Sequence, residues 1–319
     1  MRELVTEDLG RALPAPAHRA TRTTFGSWRL EALIAHGGCG SVFRGRHVVL
    51  DRLAAIKVLH PALADDPAMV ARFVQEAQAV NRIRHPNIVD VLDVGSVAGQ
   101  PYLVMELLDE RNLEQRLDAD GRLPLPECLA ILTPLCHALA AAHAAGFVHR
   151  DVKARNVGFT ADATAALKLL DFGIAKLLAP EAERGASATM RVGTPHCVAP
   201  EQIRGLAVDA RTDVYALGVL LFHLATGVYP FDADDSSEVE RMHLDAPPPR
   251  PSALVPGLAV IDPLVAAAMA KARDARPPSA GAFLAALTTA LAPPAAARRA
   301  FHRRAPMRRG PAAGRWSVR

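Results

Sequence analysis

The sequence predicts an α+β protein in two parts, with strands gathered near the start and helices filling the rest. Three observations lead there. Between Trp28 and Glu106 the apolar residues fall in short runs or alternate with polar ones, broken by glycines, as strands do. After Leu108 the pattern changes to longer stretches at helical spacing, rich in Ala and Leu. The 319 residues are 50% apolar and 22% charged, the composition of a globular chain long enough for two lobes with a sizeable core.

Taken in order, residues 1–24 mix Pro, Ala, Thr and Arg without apolar periodicity and read as an extension with little structure of its own. Order is expected from Phe25. Trp28, Leu30, Ala32 and Leu33-Ile34 make a first strand, and Val42-Phe43 open a second, with the turn between them holding Gly37, Gly38 and Gly40. Ala54-Ala55-Ile56-Lys57-Val58 is a strand with one Lys set in an apolar run. Asp66-Pro67 reads as an N-cap and first helical residue, followed by Met69, Val70, Phe73, Val74, Ala77, Val80 and Ile83 at helical spacing, with Glu76 near that apolar face. Leu113 to Leu117 predicts a short helix and Pro126 to Ala145 a long one, stopped at Gly146; Cys128, Cys136 and His143 are expected as core residues of the long helix.

The formal charge of +4 is unevenly spread. Residues 291–319 carry eight Arg and no acid, which leaves −4 for the rest of the chain. That basic Ala/Pro/Arg-rich stretch is expected to be disordered: a solubilising tail, or a contact for acidic partners. The four cysteines form no C-x-x-C pair and have no histidines at zinc spacing, so reduced thiols are expected. No run reaches the roughly 18 uninterrupted apolar residues of a membrane span; Ala216 to Phe222 is the longest candidate and reads as a core helix. Met1 to Gly10 lacks an apolar signal core, and a cytoplasmic location is expected.

The chemistry is concentrated between His149 and Gly173. His149-Arg150-Asp151-Val152-Lys153-Ala154-Arg155-Asn156 sets a carboxylate between cations with an amide on the same loop, and Asp171-Phe172-Gly173 adds a second carboxylate. The apolar run Leu167-Lys168-Leu169-Leu170 reads as a buried strand that delivers Asp171 to a fixed place. A hard cation such as Mg²⁺ takes oxygen ligands and keeps substrate phosphates in its shell, so Asp171 and Asn156 suffice as protein ligands and Asp151 is left to orient a hydroxyl.

H-R-D-x-K-x-x-N followed by D-F-G resembles the catalytic and metal-binding loops of the protein kinase family. The resemblance covers about residues 25–290. It implies a bilobal protein-kinase-like fold: residues 25–108 as a small antiparallel β-sheet lobe with one helix, and 109–290 as a larger, mainly helical lobe. It further implies ATP and Mg²⁺ (or Mn²⁺) as cofactors and protein Ser/Thr hydroxyls as acceptors, Lys153 resembling the Ser/Thr-specific branch. Asp151, Lys153, Lys57 and Glu76 would be catalytic, with Lys57 held by Glu76. Asn156 and Asp171 would hold the metal. Ile34, Gly37, Gly38, Gly40, Val42, Ala55, Lys57, the gatekeeper Met105, Glu106 and Leu108 would surround the nucleotide. Ala35 stands where the family's first loop glycine falls, and Cys197 replaces a Tyr in Gly193-Thr194-Pro195-His196-Cys197-Val198-Ala199-Pro200-Glu201, which resembles its substrate-docking segment. Arg276 falls where a late Arg pairs with Glu201. Arg150 with Ser187, Thr189 and Thr194 would be regulatory, Thr194 serving substrate positioning. The wording is closest to the eukaryotic-like kinases of bacteria. Two other readings use the same residues: a pseudokinase serving as a nucleotide-binding scaffold, suggested by Ala35 and Cys197, and a small-molecule phosphotransferase, against which the complete A-P-E segment counts.

Overall fold

The structure is a computed structural model that describes residues 23–109, 111–161, 166–171 and 195–292. Most of the expected extension and of the basic tail, together with Phe172, Gly173, Ser187, Thr189 and Thr194, lies outside the described residues.

The first lobe is one six-stranded antiparallel sheet. Its strands are β1 (Thr24–Phe25), β2 (Trp28–His36), β3 (Gly40–His47), β4 (Leu53–Leu59), β5 (Val91–Val97) and β6 (Gln100–Met105), in spatial order β1-β2-β3-β4-β6-β5. Thr24, one residue ahead of the expected Phe25, already pairs with Arg29. The third strand also begins earlier than Val42. Gly40 is buried against β4, where any Cβ would collide with the carbonyl of Val58, so this glycine answers first to strand packing. Between β4 and β5 run a single turn of helix, α1 (Pro61–Ala64), and α2 (Pro67–Ile83). The start of α2 is fixed locally, since Pro67 at its first position needs no partner for a missing N–H and the Asp66 carboxylate accepts from Ala68 N at 2.8 Å.

The second lobe is helical: α3 (Leu113–Asp120), α4 (Leu125–Ala144), a two-stranded ribbon of β7 (Val157–Phe159) and β8 (Leu167–Leu169), then α5 (Pro200–Ile203), α6 (Ala210–Thr226), α7 (Ser236–Asp245), α8 (Pro251–Leu254), α9 (Asp262–Ala268) and α10 (Ala280–Leu291). Its centre is α6, buried from Thr212 through Ala225. A helix apolar on all sides belongs inside a lobe, and α4, α9 and α10 pack around it. Gly218 allows α9 to come close: a Cβ there would stand 2.7 Å from that of Ala268.

A helix can be long and apolar without an uninterrupted run. Among the described residues α4 spans 20 residues and holds an 18-residue window of mean hydropathy 1.5. Scattered polar residues such as Glu127 and Thr133 hide it from a search for uninterrupted runs. Cys128, Leu132, Leu135, Cys136, Ala138, Leu139 and Ala142 of α4 are fully buried in the lobe, so this helix is core. Burial pushes the thiols of Cys128 and Cys136 up to about 12, and both stay protonated.

Candidate active site

The two lobes meet where β4, the segment after β6 and the loop after α4 converge. Asp171 follows β8, which is held on both sides. On one side β7 pairs with it; on the other, Leu169 N donates to Asn87 O at 2.8 Å, Val89 N donates to Leu169 O at 3.1 Å, and Asn87 Nδ2 donates to Leu167 O at 2.8 Å. Asp171 itself sits at φ +42°, a backbone state that non-glycine residues adopt rarely and that functional sites retain. Lys57 on β4 reaches across from the first lobe and donates to Asp171 Oδ1 at 2.8 Å. The charge of that ammonium holds the Asp171 carboxyl below the usual range against the raising effect of burial. Glu76 lies on α2, but its side chain is outside the described residues.

On the catalytic loop, Asp151 is ringed by donors. Lys153 Nζ lies 3.1 Å from its Oδ1 and 2.9 Å from its Oδ2, while Asn156 Nδ2 donates to the Asp151 carbonyl at 2.8 Å and to its Oδ2 at 3.0 Å. With its nitrogen committed twice to Asp151, the Asn156 amide leaves its oxygen for a cation. Asn156 Oδ1 and the Asp171 carboxylate make a hard, all-oxygen donor pair, which fits a divalent metal of the Mg²⁺ type.

The loop holds this shape because of a residue that the local sequence does not reveal. Asp213, fully buried on α6, accepts from Arg150 N at 2.7 Å through Oδ1, and from His149 N at 2.8 Å and His143 Nε2 at 2.7 Å through Oδ2. His143, expected as a plain core residue, is thus a hydrogen-bonding partner of the buried carboxylate. Its position at the end of an apolar helix gave no sign of an acceptor 70 residues on. His149 is buried with Nε2 donating to Leu170 O at 2.9 Å and Nδ1 accepting from Asp151 N at 3.3 Å, the pattern of a neutral imidazole. Burial lowers its pKa accordingly. Arg150 sits at φ +68°, and Gln202 Nε2, next to Glu201, donates to its carbonyl at 2.9 Å. Its Nε and Nη1 are buried with no hydrogen-bond partner among the described residues. An orphaned guanidinium of that kind suits an anion.

Around the expected nucleotide space, Met105 ends β6 opposite Ala55. Glu106 N donates to Asp90 O at 3.0 Å, and the Glu106 carboxylate accepts from Asp90 N at 2.8 Å and from Lys168 Nζ at 2.6 Å. Lys168 is 7% exposed and ties β8 of the second lobe to the connecting segment, a role that a lone Lys in an apolar strand does not announce. Leu108 lies against Gly158 of β7, where a Cβ would press on its side chain. Ile34 stays exposed on the glycine-rich hairpin, and Val42 packs against the core.

Beyond the catalytic loop, Cys197 is buried, and its neighbour His196 stacks on Tyr229 with ring centroids 4.1 Å apart. Tyr229 in turn donates to Glu114 Oε1 at 3.2 Å, and Glu114 Oε2 accepts from Arg155 Nε at 2.7 Å. A chain of contacts therefore joins the Pro195–Glu201 segment to the catalytic loop. Glu201 and Arg276 form a buried two-pronged pair at 2.8 and 2.9 Å.

The protein kinase domain family model matches residues 28–254. Serine/threonine-protein kinase Pkn1 of Myxococcus xanthus is 41% identical over 270 residues, 84% of this chain and 38% of the relative. Serine/threonine-protein kinase PknL of Mycobacterium tuberculosis is 40% identical over 243 residues, 76% of this chain and 60% of the relative. The chain spans less than two thirds of the length of either. The crystal structure of the Mycobacterium tuberculosis PknI kinase domain is similar with a TM-score of 0.69 and 31% identity, over 86% of this chain and 100% of that one.

Proposed function

Because the chain belongs to the protein kinase family, we propose that it transfers the γ-phosphoryl group of Mg·ATP to Ser or Thr hydroxyls of protein substrates. The observation that carries this is the setting of Asp151, whose carboxylate touches both Lys153 and the amide of Asn156 a short way from Asp171. A nucleotide-binding scaffold has no chemical need for such a carboxylate.

In this reading Asp151 accepts the hydrogen bond of the acceptor hydroxyl and orients its oxygen. Lys153 balances the charge that builds on the transferred group. Lys57 contacts the nucleotide's phosphates, and Asn156 Oδ1 with Asp171 would hold the metal, which would offset phosphate charge when bound. The preformed hydrogen bonds around the loop make this geometry available without reorganisation at the moment of transfer. Arg150, with two buried nitrogens lacking partners among the described residues, suits a phosphate placed on Ser187 or Thr189, which lie outside them.

The test is incubation of purified protein with γ-labelled ATP and Mg²⁺, alone and with a generic basic protein, followed by phosphoamino-acid analysis. Label on Ser or Thr is expected. Nucleotide binding without any transfer, in the presence of several protein acceptors, would favour the scaffold reading.

A further inference from the structure

The turn between β2 and β3 contains adjacent glycines, Gly37-Gly38, and the peptide joining them has two accessible orientations. Flipping it carries ψ of Gly37 and φ of Gly38 through about 180°, a change that residues without a Cβ tolerate and others resist. The two orientations have opposite chemistry. One presents the Gly38 N–H on a given side of the loop, a donor for an anion; the other presents the Gly37 carbonyl there, which repels one.

The structure makes the choice from outside the loop. His60, the first residue after β4, has its Nε2 2.7 Å from Gly37 O. A carbonyl can only accept, so Nε2 carries the proton and donates. The peptide is planar and trans, so pinning the Gly37 carbonyl toward His60 aims the Gly38 N–H the opposite way. The surroundings keep the imidazole in place: His60 N donates to Cys39 O at 3.0 Å, and the ring of His36 lies against that of His60 with centroids 4.8 Å apart. His36 is itself within 2.9 Å of Ser41 Oγ through Nδ1. The Gly37 N–H is already used inside the turn, donating to Gly40 O at 2.9 Å, which leaves the Gly38 N–H as the next donor along the chain.

We propose that His60 is a positioning residue for the nucleotide's phosphates, holding the Gly37–Gly38 peptide in the orientation that offers the Gly38 N–H to them. The proposal rests on the reading of this hairpin as part of an ATP site. His60 lies on no part of the catalytic loop, and it acts through the peptide it fixes.

Isothermal titration with Mg·ATP and, separately, with adenosine tests it on three proteins: wild type, His60→Phe and His60→Gln. Phenylalanine keeps a ring to pack against His36 but has no N–H; glutamine restores a donor. His60→Phe should weaken ATP binding about tenfold, the worth of one backbone hydrogen bond to a charged group, and leave adenosine binding within twofold. His60→Gln should recover most of the loss, with all three melting temperatures alike. Wild-type ATP affinity in His60→Phe overturns the proposal, as does an equal loss for ATP and adenosine. A wild-type protein that binds no ATP overturns the functional reading and this proposal with it.

Discussion

Replacing Arg276 by Met isolates one buried ion pair. Arg276 meets both carboxylate oxygens of Glu201, and its remaining donors go to the carbonyls of Ala270 at 2.7 Å, Arg211 at 3.0 Å and Lys271 at 3.2 Å. Its guanidinium also lies over the ring of Tyr215, 4.8 Å from the centroid. Removing it leaves Glu201, 3% exposed, with the Thr212 hydroxyl at 2.8 Å and no countercharge from Arg276. Breaking a buried pair from one side costs about 3–5 kcal/mol. At about 2–4 °C per kcal/mol for a chain of this size, the melting temperature should fall by roughly 6–20 °C. Acid should narrow the gap. Burial works to raise the pKa of Glu201, but the hydrogen bonds and charge of Arg276 outweigh it and leave the folded value below the ordinary one. A depressed carboxyl contributes stability that is present above its unfolded pKa, about 4.3, and is lost as pH falls through the folded value. Calorimetric melts of wild type and Arg276→Met at pH 7 and below pH 4 read both effects. A loss under 1 kcal/mol at pH 7, or a gap that widens in acid, would refute the reasoning. Replacing Glu201 and Arg276 together by apolar residues should restore much of the stability, since the desolvation of both charges goes with them.

Other changes report on the chemistry. Asp151→Asn should reduce phosphoryl transfer at least about 100-fold while ATP binding stays near wild type, as titration and single-turnover assays can read; near-normal transfer would remove Asp151 from its role. Ala35→Gly should leave steady-state turnover within a few-fold, because Ala35 sits in β2 paired with Val42 and its methyl is compatible with the strand. Protein made without phosphatase should carry phosphate on Ser187 or Thr189 by peptide mass spectrometry, and replacing both by Ala should lower turnover more than nucleotide affinity. An unmodified, fully active enzyme would sink that last idea.

Much of the architecture was legible because its determinants are local. The start of α2 is written in Asp66-Pro67, and the end of α4 in Gly146, which takes the left-handed conformation at φ +83°. The single-turn helix α1 went unseen, since four residues are too few to display a period. The catalytic stretch showed itself as a run of unusual residue types at fixed spacing. What stayed hidden depends on distance in sequence: Asp213 acts on His149 from 64 positions away, and Lys168 finds Glu106 only after the lobes assemble. His60 was hidden for another reason, because a histidine following a strand looks like any connector until its ring is seen against Gly37.

The carboxylate of Asp213 also decides how the catalytic loop moves. The amide protons of His149 and Arg150 are donated to a side chain at the start of α6, the helix with the deepest burial in the second lobe. Those two protons are expected to exchange only when the helix itself opens, so a segment with the sequence of a loop should exchange hydrogen far more slowly than its neighbours. The backbone beside Asp151 is thereby tied to the buried helix, while the glycine-rich hairpin that would close over the nucleotide is exposed along Gly37 and Gly38. In the kinase reading proposed above, substrate capture and phosphoryl transfer would fall to parts of the chain with different expected lifetimes, an exposed hairpin and a loop tied to the buried helix of the second lobe.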